Sequence, residues 1–246
     1  MSHTALRRVA VRLLHDPDLA RALHEDPTPA LAGVALSSEE RAWLLAVPNA
    51  AWRTDPDRSR RVLSALHDEF PASFALAPAR AEEFFRSAHF HAAVQKRGSL
   101  ALAFGTHMLE QDDDAVVAVA RLETATALVR RAPLSVSPSP LGQLRLTPAA
   151  RVVRIARDGA ELLAAVRAGR PRPRTGPDDE TLLVLRLPAS FEVTIEPVSD
   201  ALAELLDRAA TPQTRPSLEA IVRSLGGDAD EPAEVVGGLV ADGVLV

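Results

Sequence analysis

Cysteine and tyrosine are both missing from the 246 residues. The first absence excludes disulfides, thiolate metal sites and a cysteine nucleophile. The second removes phenolic general acids. Lysine is nearly missing as well: Lys96 stands alone against 27 arginines, a bias of a GC-rich genome more than of function. No run reaches the roughly 18 consecutive apolar residues that a membrane-spanning helix needs. The start, MSHTALRRVAVRLLHDPDL, has only a short apolar run, broken by His15, Asp16, Pro17 and Asp18. That reads as a helix, not a signal peptide, so a soluble cytoplasmic protein is expected. There is no Gly-x-Ser-x-Gly elbow and no phosphate-cradling glycine loop. The net charge of −5 argues against a general phosphate-binding surface.

What is present falls into two styles. Residues 1–132 read as helices throughout. Leu6, Val9, Ala10 and Leu13 recur at helical spacing, and Ser37 with Glu40 forms a capping-box pattern. Further helices are expected over Val62–Phe70, Ala79–Gln95, Ser99–Leu109 and Asp113–Arg131. Asp112, Asp113 and Asp114 suit the positive end of the last one. PLSVSPSPLG, residues 133–142, is the clearest linker. Beyond it the apolar period becomes two, in QLRLT, RVVRIA, TLLVLRL and FEVTIE, with one helix, GAELLAAVRAG, between them. Three short helices then follow, the middle one ended by Gly226 and Gly227, the last beginning near Pro232. The expected fold class is therefore α+β. An all-α domain (1–132) precedes a small winged-helix-like domain of sheet plus helices (143–246).

Charge divides just as unevenly. All seven histidines precede residue 132. Residues 143–176 hold eight arginines and two acids, whereas 177–246 hold four arginines and fourteen acids. The histidines His89, His91 and His107 invite a metal or acid–base reading. His89 and His91, however, are two residues apart, about 200° around a helix, and do not grip one ion. Glu82–Glu83 and Asp112–Asp114 read as solvated helix starts, and GGDADE as a capped loop lacking calcium-loop spacing. No catalytic constellation is expected, and no metal.

ALHDEFPASFAL, FFRSAHFHAAV, GSLALAFGTHML and AVARLETATA together carry a pattern. Phe70-Pro71 follows a helix, Phe84-Phe85 opens another, a Ser-Leu segment comes next, and Leu122 to Ala125 makes a Leu-Glu-x-Ala helix. Over roughly residues 60–130 this resembles the helical domain of partner subunits of multinuclear non-haem iron oxidative enzymes. Those enzymes modify ribosomally synthesised peptides, as in methanobactin-type and thiaglutamate-type pathways. The usual tyrosines of methanobactin-type members are missing here. Residues 180–246, with ALAELLDRAA, SLEAIVRSLGG and EVVGGLVADGVLV, resemble the peptide-recognition element of the pyrroloquinoline-quinone chaperone type. The resemblance implies a non-catalytic subunit without a cofactor of its own. The iron would sit in the partner enzyme, and this chain would bind the leader of a precursor peptide by strand addition. The candidate edge is Val193, Thr194, Ile195 and Glu196, with Val235 and Leu239 walling a groove. Val193, Ile195, Val235 and Leu239 suit a plain core equally well. A leader with basic residues would suit the acidic balance. His89, His91, Lys96, Arg97 and His107 are then expected on the face docked to the iron enzyme. The alternative is a winged-helix DNA-binding regulator using Arg151, Arg154, Arg157, Arg167, Arg170, Arg172 and Arg174. Against that, SLEAIVRSLGG brings only Arg223 to a groove that wants several cations.

Overall fold

A computed structural model describes residues 3–53, 55, 57–133, 142–156, 158–171, 173, 179–187, 192–226 and 231–246. The chain forms two compact units, residues 1–110 and 111–246. It mixes helices with small antiparallel sheets. No helix among the described residues is long and apolar enough to cross a membrane. The expected linker (residues 134–141), the strand residue Phe191, Gly227 with the rest of its turn, and Arg157, Arg172 and Arg174 lie outside the described residues.

The first unit is all helical: α1 (Thr4–His15), α2 (Pro17–Glu25), α3 (Pro27–Ala30), α4 (Ser38–Ala46), α5 (Asn49–Trp52), α6 (Arg58–Glu69), α7 (Pro71–Leu76), α8 (Pro78–Glu83), α9 (Ala88–Lys96) and α10 (Leu100–Met108). Proline opens α2, α3, α7 and α8, where its missing N–H costs nothing. Both capping-box bonds of Ser37 and Glu40 form at α4. Val9 and Leu13 of α1 pack with Leu23, Leu31, Leu44 and Trp52. A second cluster is aromatic: Phe70, Phe84 and Phe90 are fully buried, and Phe84 meets Phe90 and Phe104 edge-on.

The single helix expected over 79–95 is instead two. A 3-10 turn, Phe84–Arg86, ends α8, and Ser87 starts α9. The Ser87 hydroxyl donates to Phe84 O at 2.7 Å and accepts from Phe90 N at 3.1 Å. The break turns Phe84, Phe85 and Phe90 inward together, which an unbroken helix of this sequence does not allow.

The second unit begins with α11 (Asp114–Arg131), so the division falls ahead of this helix and not at residue 132. After it come β1 (Gln143–Leu144), β2 (Ala150–Ala156), α12 (Gly159–Arg167), β3 (Asp179–Arg186), β4 (Val193–Pro197), α13 (Asp200–Arg208), β5 (Gln213–Thr214), α14 (Arg215–Ser224) and α15 (Glu231–Ala241). Strands β2, β3 and β4 form one antiparallel sheet in that order. β1 pairs with β5, while Arg145 exchanges backbone bonds with Val246. The QLRLT segment thus closes on the C-terminus.

Both faces of β3 are buried, which explains its nearly continuous apolar run. Leu183 and Leu185 pack with Leu206, Val244 and Leu239. On the other face lies α11, tied down by a buried cation. Arg186 is 5% exposed, and its guanidinium donates to Arg130 O, Ala132 O and Pro133 O at 2.9–3.2 Å. These carbonyls at the helix end have no intrahelical donor, and the negative end of the helix dipole favours a cation there.

Candidate functional site

The three-stranded sheet has two edges, and the register shows what each one offers. Val198 N–H donates to Thr181 O and Leu187 N–H to Glu192 O, both in the register that pairs Val184 with Ile195. Inward- and outward-pointing backbone groups alternate along an antiparallel strand. Glu192, Thr194, Glu196 and Val198 therefore bond to β3, whereas Val193, Ile195 and Pro197 turn their backbone groups away from the sheet. Among the described residues nothing is bonded to that outer row. Pro197 has no N–H, so the row carries two donors followed by a stop.

The β2 edge differs. Arg186 N–H donates to Ala149 O, which sets Ala150, Val152 and Arg154 as the outward residues. Ala150 N–H is taken by Thr147 O. Arg151 caps Ala150 O at 2.6 Å, and Arg121 of α11 caps Arg154 O at 3.0 Å. Guanidinium groups blunt this border, a common protection against unwanted pairing. They also occupy part of the basic cluster seen in the sequence: Arg154 pairs with Asp207 at 2.5 Å, and Arg167 with Glu123 at 3.4 Å.

Directly opposed residues share a face of the sheet. Val193 and Ile195 thus lie on the α11 face with Arg186 and Val184, half-buried. Thr194 and Glu196 share the opposite face with Leu185 and Leu183. Glu196 is exposed and has no ion pair among the described residues. Val235 and Leu239 are half-buried in the helix core, Leu239 touching both apolar clusters of the unit. Val235 also lines an apolar cavity of about 310 Å³ with Leu202, Leu205, Val222 and Leu225. The structure therefore brings the four β4 candidates together on a free edge. It gives Val235 and Leu239 a packing role.

The histidines of the helical unit separate as their spacing requires. His89 lines a cavity of about 450 Å³ with Arg80, Glu83, His107 and Glu110. Its Nε2 meets Glu110 Oε1 at 2.8 Å, and Arg80 reaches Glu83 at 3.1 Å and Glu110 at 3.5 Å. The His89 hydrogen bond holds the Glu110 carboxyl below the usual range. His91 faces a different cavity, beside α1. Among the described residues no group of three or more His, Asp or Glu is placed to hold a metal ion.

The expected docking face needs correction. His107 is 2% exposed and donates Nε2–H to Arg80 O at 3.1 Å, and His91 is 9% exposed. Burial pushes both imidazoles below their ordinary range. They are core groups, drawn inward by the aromatic cluster, and offer little to a docking partner. His15 belongs with them: it stacks on Phe85, and burial, helped by Arg58, lowers its pKa to about 4. Lys96 and Arg97 do stand exposed at the end of α9. Arg97 takes a left-handed conformation (φ 52°) that lets Gly98 N–H close the helix on Ala93 O.

Sequence reading missed Arg186, because an arginine at the end of a strand run looks exposed. It also missed the cation pair Arg8 and Arg12, whose i, i+4 spacing was available. No family model matches the chain, and no curated protein matches it.

Proposed function

We propose that this chain is a non-catalytic peptide-binding subunit. Its second unit, read as a winged-helix-like recognition element, takes an extended segment of a ribosomally made precursor as an added strand on β4. Its helical unit docks, through the surface bearing Lys96 and Arg97, on a multinuclear non-haem iron oxidase that modifies the peptide. The outer row of Val193, Ile195 and Pro197 is the observation that carries this reading. With one border partly capped by arginine side chains and the other open among the described residues, the open β4 border is the better place for a guest strand. Glu196, exposed and unpaired, favours a basic residue across from it on the guest, while Val193 and Ile195 favour apolar neighbours. The three antiparallel strands, with α12 between the first two, are followed by the helices α13, α14 and α15, an order that supports the comparison with peptide-recognition elements.

The test is a random-peptide display selection on the full chain, followed by anisotropy titration of the enriched peptides. Extended sequences with alternating apolar and basic residues are expected. Ile195→Pro removes an outward donor without touching the ladder to β3, and binding should fall more than tenfold. Val152→Pro does the same on β2 and should leave binding unchanged. The opposite pattern moves the guest to the other border; no enrichment at all removes the reading. The docking half is tested by co-purification with an iron oxidase encoded beside this chain, with and without Lys96→Glu/Arg97→Glu.

A further inference from the structure

Arg8 and Arg12 sit one turn apart on α1, on the face that also carries Ala5 and Val9. With Val34 and His91 they line a cavity of about 300 Å³. Their charges are poorly matched. Asp16 lies 3.7 Å from Arg12 Nε, but the same oxygen is 3.3 Å from Arg86, and its other oxygen caps Leu19 N–H. Arg8, exposed at the rim, has no ion pair among the described residues. Two like charges at i and i+4 repel each other, so the pair costs stability unless something lies between them.

Deeper in, two polar atoms lack hydrogen-bond partners. Arg12 Nε and His91 Nε2 are both buried without a hydrogen bond. A buried donor without a hydrogen bond costs about 1–3 kcal/mol, and Arg12 Nε, with Asp16 no nearer than 3.7 Å, has room for a closer acceptor. The remaining walls, Ala5, Val9, Gly33, Val34 and Ala35, carry no polar side chain.

We propose that this cavity is an anion site, taking a carboxylate carried on a short aliphatic body. The carboxylate lies between the Arg8 and Arg12 guanidinium groups beside His91, and the aliphatic part rests against Ala5, Val9 and Val34. Arginine forks match carboxylate oxygens two at a time, which a solvated chloride cannot use. The cavity is at the small end for organic ligands, so the body is a few carbons long. The aliphatic walls favour such a body over inorganic phosphate, whose every face needs donors. This site shares no residue with the β4 edge, and the inference stands whether or not a peptide binds there.

Isothermal titration of the full chain with sodium butyrate tests it, with inorganic phosphate and 1-butanol as comparison probes. Butyrate should bind saturably at one site, shift the His91 ring nitrogens in NMR, and outbind both comparison probes. Arg8→Gln, a rim change that breaks no internal contact, should weaken binding about tenfold, the worth of one charge-assisted pair. Arg7→Gln, off the cavity, should not change it. Phosphate binding as tight as butyrate overturns the carboxylate assignment. Absence of saturation, or butyrate binding indifferent to Arg8→Gln, overturns the site.

Discussion

In the helical unit the buried ionisable groups are Asp16, His91 and His107, with half-buried His15 beside them, and burial pushes all three imidazoles toward the neutral form. In the sheet-bearing unit they are Arg186 and the fully buried Glu123. Arginine does not shed its proton, so Arg186 is accommodated by three helix-end carbonyls instead. The helical unit therefore holds imidazoles neutral, while the sheet-bearing unit holds a permanent cation by geometry. Both tryptophans, Trp43 and Trp52, belong to the helical unit, so their fluorescence reads that unit alone, while circular dichroism reads both.

The strongest way to break this comparison is Arg186→Met. It leaves three carbonyls at the end of α11 without a donor, and the sheet-bearing unit should lose about 3 kcal/mol. Urea titration by circular dichroism should show an earlier transition, with the tryptophan transition unmoved. A tryptophan transition that shifts equally would mean the two units do not unfold separately.

Acid should act in the other direction. His15 ionises near 4 in the fold and near 6.5 when unfolded. Between those values the unfolded chain binds more protons, so stability present above pH 6.5 is lost as pH falls and levels off near pH 4. The half-exposed setting of His15 reduces the effect to on the order of 1–2 kcal/mol. Tryptophan-detected unfolding should follow this slope, and His15→Phe should flatten it. Above pH 5 the sheet-bearing unit should show little dependence.

Smaller effects concern surfaces. Ile195→Pro should weaken peptide binding more than tenfold and cost the sheet-bearing unit about 1–2 kcal/mol of half-buried packing, the lost N–H itself pointing away from the sheet, while the tryptophan transition should not move. Lys96→Glu/Arg97→Glu should weaken the complex with the iron oxidase several-fold, more at low salt than high, since exposed charges are screened within about 10 Å at 0.1 M. A salt-independent loss would argue for a local change at the left-handed turn of Arg97.

Several helix starts at which a side chain caps its own backbone were legible in the sequence. Ser37, Ser99 and Asp113 all hold the first turns expected of them. The alternating strands were legible too, including the candidate edge at Val193–Glu196. What stayed hidden depended on partners distant in sequence. Ser87 looked like one more helical residue because its capping role follows from the collective burial of Phe84, Phe85 and Phe90. α11 looked like the last member of the helical unit because its link to the sheet is made by Arg186, more than fifty residues later. His91 and His107 looked exposed for the same reason: a lone histidine in a helix does not announce which face the fold will cover.

The proline at the end of β4 also governs what happens when these molecules crowd together. An open β border normally invites identical copies to stack without limit, each new strand exposing the next. Among the described residues the invitation at β4 lasts for two amide donors and ends at Pro197, and on the far border arginine side chains cap two of the outward carbonyls. Among the described residues each border offers only a short, interrupted template, so the protein should stay dispersed at concentrations where a longer bare border would precipitate.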